Sequence, residues 1–442
     1  MTDYARLYRE RLCVAADAAA LIPSNAKVTM GLAAGQPPAI LAALAERARE
    51  GAVTDVRFYY LLCTGIAGGS VFDFDLRDRL IPMSYFHGGV ERALDKRFIA
   101  EGLPAVEVMP CHFSQVPRSM VEHVGVDTLI ATVSPMDANG NFSLGTNADY
   151  SLAVARKPGV RIILEVNPNM PYVHGDCMIP VADVAAVVEN DVALPLLPPA
   201  PRSTVDDAIG AIIAGLVRDG DCLQMGIGAL PDAVCAGLAN HRHLGIHTEM
   251  MTPGLAELVR SGVVDNSRKQ LMAGKTVFAF ALGNQPLYDF LHDNPLVEAH
   301  PVDYVNNPAV IAQNDNVVSV NATLQIDLSG ACNSEFMNGR QFSASGGQVD
   351  FVRGAYASRG GRSIIACHST AAKGTISRIA ATLSGPVTTP RNDTHIVVTE
   401  YGWTNLKGKS TSERAQALIA LAHPDFREDL ERAAYEAGLR TV

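Results

Sequence analysis

The sequence has no uninterrupted apolar stretch approaching the ~20 residues of a membrane-spanning helix, so no membrane partner is expected. It has no surplus of positive charge. Its 36 Lys and Arg face 46 Asp and Glu, a formal net charge of −10. That sign offers no electrostatic hold on nucleic acid or an anionic bilayer, so no nucleic-acid partner is expected either. The eight cysteines are scattered and none falls in a C-x-x-C pair. In a chain of this size that pattern reads as reduced thiols in the cytoplasm, not a disulfide framework. The N-terminal stretch MTDYARLYRERLCVAADAAALI intersperses charges and has no apolar core, which argues against a signal peptide. No G-x-x-x-x-G-K-[ST] phosphate loop and no G-x-S-x-G nucleophile elbow occurs. Three histidines crowd into HRHLGIH (241–247), but Gly245 interrupts any helical i, i+4 pairing and no acid or cysteine completes a ligand set, so no metal is expected.

What is present is a large, apolar, regular chain. Its 442 residues are 48% hydrophobic and 19% charged. That length exceeds one ordinary core and predicts two domains of roughly 200 residues. Short β-branched runs alternate with Ala/Leu-rich stretches. DTLIATVS, RIILEVN, TVFAFALG, NVVSVN, SIIACHS and HIVVTEYG read as strands. PPAILAALAERARE, PDAVCAGLANH, PGLAELVRSG and TSERAQALIALA read as helices. The alternation predicts an α/β fold with mainly parallel sheets. VALPLLPPAPRSTVDD (192–207) is too proline-rich for a helix or central strand, and Ser203 or Thr204 can cap the next helix. The predicted division is therefore a first domain over 1–192, a linker over 193–204 and a second domain over 205–442.

The two halves share a pattern. AKVTMGLAAGQPPAILAALAE (26–46) and DCLQMGIGALPDAVCAGLANH (221–241) each run strand, Met-Gly, small-residue loop, Pro and Ala/Leu helix. Any βα unit can look like this. The alternative is a pair of related domains with their glycine loops facing each other, because ligands on such sheets lie outside the carboxyl ends of strands.

Three segments can carry chemistry. In QMGIGALPDAV, Gly226 and Gly228 let the backbone approach a ligand, and the helix after them starts with free N–H groups. The pattern lacks the third glycine of a dinucleotide fingerprint. In GIHTEMMTP, LGIHT reads as a short strand and Thr252-Pro253 as a helix start, so Glu249 is expected just past the strand end, near the glycine loop. His247 is expected on the other strand face. In QFSASGGQVDFVRGAYASRGG, Gly346-Gly347 reads either as a hairpin turn or as bare backbone able to point N–H groups at an oxyanion. Asp350 and Arg353 are expected to form a structural ion pair.

Taken in order, GIGALPDAV, GIHTEM, SGGQVDFVRGA, TTPRNDTHIVVTEYG and ALIALAHPDFREDL resemble the acetyl-CoA hydrolase/transferase family of class I CoA-transferases, most closely its 4-hydroxybutyrate/butyrate CoA-transferase branch. The resemblance implies two CoA-transferase-like α/β domains with the active site between them. It implies CoA exchange between acyl-CoA and small carboxylic acids, through a glutamyl-CoA thioester. It implies no tightly bound cofactor, coenzyme A entering as substrate, and a homodimer or homotetramer. Residue by residue, Glu249 matches the nucleophile, Asn306 (with Asn307 beside it) the asparagine that binds the reacting oxygen, and Gly347 the backbone donor, with Gly346 adjoining it. Gly226, Ile227, Gly228, Ala229 and Leu230 match a CoA-contacting loop. Asn321 and Leu324 of NATL, Lys373 and Asn392 fall where the family contacts CoA, and Glu400 matches an acid near the site. The chain departs from the pattern at Trp403-Thr404-Asn405 and over 59–75 and 84–98, where Tyr85, His87 and Arg92 would be able to meet a second carboxylate. A dicarboxylate such as itaconate or succinate therefore stands beside the short monocarboxylates as the acid. Hydrolysis of CoA esters on the same scaffold and non-catalytic acyl-CoA sensing are the competing readings.

Overall fold

The computed structural model describes residues 3–439, so Met1 and Thr2 of the N-terminal stretch lie outside the described residues. The chain divides into two compact units. One comprises 1–197 and 277–305, the other 198–276 and 306–442.

In the first unit a seven-stranded sheet runs, in spatial order, Ala186–Glu189, Arg161–Val166, Thr128–Val133, Lys27–Met30, Val56–Leu61, Leu80–Phe86 and Glu107–Val108. All its pairings are parallel. Strands such as Thr128–Val133 are buried at every position, which is why they read as continuous apolar runs without alternation. The helix Pro38–Arg49 lays Ile40, Leu41, Leu44, Ala45 and Ala48 into the core with Val28, Phe58 and Ile163. Pro37 supplies no side-chain cap to this helix. Glu165, fully buried on its strand, accepts the Ile40 N–H at 3.0 Å and the Asn190 amide at 2.6 Å, so a remote carboxylate satisfies the helix start.

The predicted second domain counted 277–305 as its own, whereas by compactness this segment groups with the first unit. The reason is backbone pairing over long sequence separations. Ala281 N–H donates to Thr146 O (2.8 Å), Asp149 N–H to Ala279 O (3.2 Å) and Val302 N–H to Asp149 O (3.2 Å). Strand Val297–Ala299 pairs in parallel with His174–Gly175.

In the second unit the strands lie in the order Gly402–Asn405, Ile396–Thr399, Arg362–Ala366, Val317–Ala322, Cys222–Met225, Gly245–Met251. All neighbours are parallel except the edge strand Gly402–Asn405. The chain builds outward from Cys222–Met225 to Gly245–Met251 on one side and to Val317–Ala322 and beyond on the other. The strand order therefore reverses between Cys222–Met225 and Val317–Ala322, and that crevice is where an open α/β sheet takes a ligand. Ser203 opens the helix Thr204–Leu216 with a capping box to Asp206. This helix packs so closely on Ala229–Gly237 that a Cβ at Gly210 would lie 2.8 Å from the Ala233 backbone.

Candidate active site

Glu249 lies inside strand Gly245–Met251, not past its end as its sequence suggested. Glutamate is depleted in strands, but the buried apolar Met250 and Met251 extend the strand, and burial overrides propensity. The same extension corrects the placement of His247. Residues i and i+2 share a strand face, so His247 lies on the face of Glu249, 1% exposed, with its ring 6.4 Å from that of Phe351. Both side chains thus point toward the helix Gln348–Ala357.

That helix brings the second component. Gly346 takes a left-handed backbone (φ 52°) and Gly347 caps the helix start, so the double glycine is a helix entry and not a hairpin turn. The Gly347 N–H donates to the Glu249 carboxylate. A Cβ at Gly347 would overlap both Glu249 Oε2 and Asn306 Nδ2. Only glycine lets the three groups converge.

Asn306 is the third component. Its Nδ2 donates to Glu249 Oε2 at 2.6 Å and its side chain is fully buried. Asn307, its neighbour, turns away and caps the short helix Pro308–Ile311 through the Ala309 N–H. The next contact fixes the geometry. A Cβ at Gly354 would sit 2.6 Å from Ile311 Cβ, so the short helix is pressed against the helix that starts at Gly347.

The electrostatics arise from this crowding. Water reaches part of Glu249, yet the protein packed around its carboxylate removes most of its hydration. Its pKa is raised to about 7: desolvation is the largest cause, the Asn306 and Gly347 donors oppose it, and the charge of Asp350 adds to it. Asp350, 4% exposed on the first turn of the helix, is therefore a neighbour of Glu249. The predicted Asp350–Arg353 pair does not hold. Arg353 binds Asp393 at 2.9 Å, because positions three apart on this helix diverge between its buried and exposed sides.

The remaining predicted residues fall around the sheet's carboxyl edge. Gly226, Ile227 and Gly228 come after strand Cys222–Met225, with Ala229 and Leu230 opening the next helix. Gly228 has φ 113° and ψ −178°, a conformation in effect reserved for glycine. Asn321 lies near the end of the neighbouring strand across the crevice, and its Nδ2 donates to Gln224 Oε1 at 3.2 Å. Leu324 N–H donates to Asn333 O. Lys373 stands exposed at the tip of a hairpin with φ 58°. Asn392 is exposed in a turn, where its carbonyl accepts Lys407 Nζ at 2.6 Å. Glu400 is engaged by Ser369, from its N–H at 2.9 Å and its hydroxyl at 2.6 Å. In the first unit, Tyr85 is buried with its hydroxyl 2.8 Å from Ser119 Oγ, and His87 is buried 3.4 Å from Asp95.

In a parallel α/β unit, a carboxylate, a carboxamide and a backbone N–H thus converge at one point. Comparison with known proteins makes the assignment. The N-terminal domain model of acetyl-CoA hydrolase/transferase matches residues 1–198, and the C-terminal domain model matches 283–434. The chain is 41% identical over 98% of its length to the succinyl-CoA:cyclohexane-1-carboxylate CoA transferase of Geobacter metallireducens, covering 97% of that protein. It is 41% identical over 97% of its length to the 4-hydroxybutyrate coenzyme A transferase of Clostridium kluyveri, covering 98% of it. Among solved structures it resembles RipA from Yersinia pestis, with TM-score 0.95, 51% identity, and coverage of 99% of this chain and 100% of that one. It also resembles the 4-hydroxybutyrate CoA-transferase of Porphyromonas gingivalis, with TM-score 0.84, 35% identity, and coverage of 98% and 100%. The chain belongs to the acetyl-CoA hydrolase/transferase family, and it is an enzyme of the CoA-transferase kind.

Proposed function

We propose that this enzyme exchanges coenzyme A between small carboxylic acids by a two-stage route through a thioester on Glu249. The observation that carries the reading is the convergence of Asn306 Nδ2 (2.6 Å) and the Gly347 N–H on a largely desolvated Glu249 carboxylate. A Glu249 oxygen attacks the thioester carbonyl of acyl-CoA, and collapse expels CoA thiolate and leaves a mixed anhydride. The thiolate adds to the glutamyl carbonyl, which releases the first acid and leaves Glu249–CoA thioester. A second carboxylate then reverses both steps. The addition at the glutamyl carbonyl places negative charge on an oxygen already within reach of Asn306 and Gly347, which supports an oxyanion role for both.

Desolvation suits a carboxylate nucleophile. Water stabilises the free anion more than the neutral thioester, so removing water raises the starting state and favours the acylated one. It also slows hydrolysis of the intermediate. Names of relatives include both monocarboxylate and succinyl-CoA transferases, so an acceptor panel with one acyl-CoA donor is the test of acid preference. If butyrate outcompetes succinate and itaconate, the dicarboxylate reading is lost. The thioester itself is tested by incubating the enzyme with acyl-CoA alone. A CoA mass on the peptide containing Glu249, absent in Glu249→Ala, is expected together with an exchange rate lowered roughly 10³-fold or more. Active enzyme with no adduct, or Glu249→Ala with undiminished exchange, overturns the reading.

A further inference from the structure

We propose that His368 is a positioning residue for the CoA-binding surface, and that it holds the Lys373 hairpin in register with the Gly226–Gly228 loop through its contact with Asp206. This rests on the proposed function and on the family resemblance, which implies that Lys373 and the Gly226–Gly228 loop contact CoA.

Where strand Arg362–Ala366 ends, the chain passes through Cys367 and His368 into a small antiparallel hairpin, with Thr370 and Ala371 opposite Ser377 and Ile376. Its tip is Ala372, Lys373 and Gly374, and all three have positive φ, at 49°, 58° and 88°. Two of these residues carry a Cβ, and consecutive left-handed residues with side chains are disfavoured. Such a turn persists only when the structure beneath it over-determines the backbone.

The base supplies that. Arg378 N–H donates to Ser369 O at 2.8 Å and closes the hairpin. Ser369 is fixed to Glu400 by two hydrogen bonds. His368 Nε2 lies 2.7 Å from Asp206 Oδ1. The last contact differs in what it connects. Asp206 sits in the first turn of helix Thr204–Leu216, 5% exposed, and its other oxygen takes the Ser203 N–H at 2.8 Å and hydroxyl at 2.5 Å. Burial would push the Asp206 carboxyl up, but the Ser203 and His368 donors outweigh it and hold it below the usual carboxylate range. One turn further along the same helix, Gly210 presses on Ala229–Gly237, and that second helix begins at the Gly226–Gly228 loop. One contact thus links the hairpin bearing Lys373, by way of two tightly packed helices, to the glycine loop at the crevice. The His368 side chain is itself 35% exposed, so packing alone does not demand a histidine there.

The test uses full-length His368→Ala and His368→Gln with two donors, acyl-CoA and the same acyl group on pantetheine, which lacks the nucleotide. For His368→Ala the KM for acyl-CoA is expected to rise roughly five- to tenfold at unchanged kcat, with acyl-pantetheine kinetics like those of the unaltered enzyme and a modestly lower thermal midpoint, because the buried Asp206 loses a donor. His368→Gln, which keeps a donor at similar reach, is expected to recover most of the loss. An unchanged KM for acyl-CoA, an equal rise for both donors, or a fall in kcat without a change in KM overturns the proposal. Failure of the underlying CoA reading shows separately, as an unaltered enzyme that exchanges neither donor.

Discussion

Glycine at the sheet edge is used in two opposite ways in the two units. In the first, Gly35 lies beyond strand Lys27–Met30 with an ordinary backbone, and the space its Cβ would need is filled by the side chain of Asn147, itself fully buried. The glycine is there for the protein's own packing. In the second, a Cβ at Gly226 would meet nothing nearer than Pro231 Cγ at 3.9 Å, and one at Gly228 would meet no protein atom within 4 Å. These glycines keep the backbone bare at the crevice. Gly347 is crowded as Gly35 is, but what a Cβ there would displace is the Glu249 carboxylate and its Asn306 partner. The likeness between 26–46 and 221–241 is therefore a likeness of βα architecture, while the glycines inside it answer to different demands.

Substitution separates the two uses. The largest effect is expected at Gly347. Gly347→Ala displaces Glu249 and Asn306 together, so exchange should fall by at least ~10²–10³-fold, as when an oxyanion donor is removed, while denaturant unfolding changes far less. Gly35→Ala should do the reverse. Overpacking against Asn147 should lower stability by about 1–3 kcal/mol, read as a lower urea midpoint at unchanged slope, with the kinetics of the folded fraction retained. Gly226→Ala should raise the KM for acyl-CoA severalfold at unchanged thermal midpoint. The contrast fails if Gly35→Ala costs activity without stability, or if Gly226→Ala costs stability without a change in KM.

The smallest effect concerns Glu249 and pH. Its folded pKa is raised from the ordinary 4.5 to about 7. Below pH 4.5 the carboxyl is neutral in both folded and unfolded chains and carries no penalty. Between 4.5 and 7 the unfolded chain releases its proton first, so the folded state binds more protons and stability declines as pH rises. Above 7 the penalty is complete, about 2 kcal/mol once partial water access is allowed for. Glu249→Gln should therefore raise the thermal midpoint at pH 8 and leave it nearly unchanged at pH 4.5. Equal shifts at both pH values would show that Glu249 titrates normally. Replacing Asp350 by Asn removes a charge that raises Glu249, so the acid limb of exchange should move to lower pH.

Much of the scaffold is legible before any coordinates. Runs such as Thr128–Val133 and Ile396–Thr399 announce themselves because strands buried on both faces have no polar positions to interrupt them. The Ser203 cap is readable because it is local. What escapes local reading is pairing at a distance. The grouping of 277–305 with the first unit depends on backbone partners near Thr146 and Asp149, and the His368–Asp206 contact spans 162 residues. Residue preference alone puts Glu249 at a strand end, and the two buried methionines after it outweigh that preference. Period two, applied strictly through them, puts His247 on its face. Asp350 shows the same limit, since three-residue spacing to Arg353 looks sufficient and the buried side of the helix decides otherwise.

The separation of 57 residues between Glu249 and Asn306, with Gly347 further along again, has a consequence for biosynthesis. No segment emerging early from the ribosome holds more than a fragment of the reactive centre. On the proposed route, the ability to form a thioester on Glu249 arrives only when a strand, a short turn of helix and the start of a longer one have all docked, so an incompletely folded chain would be spared from capturing coenzyme A on an unprotected acid.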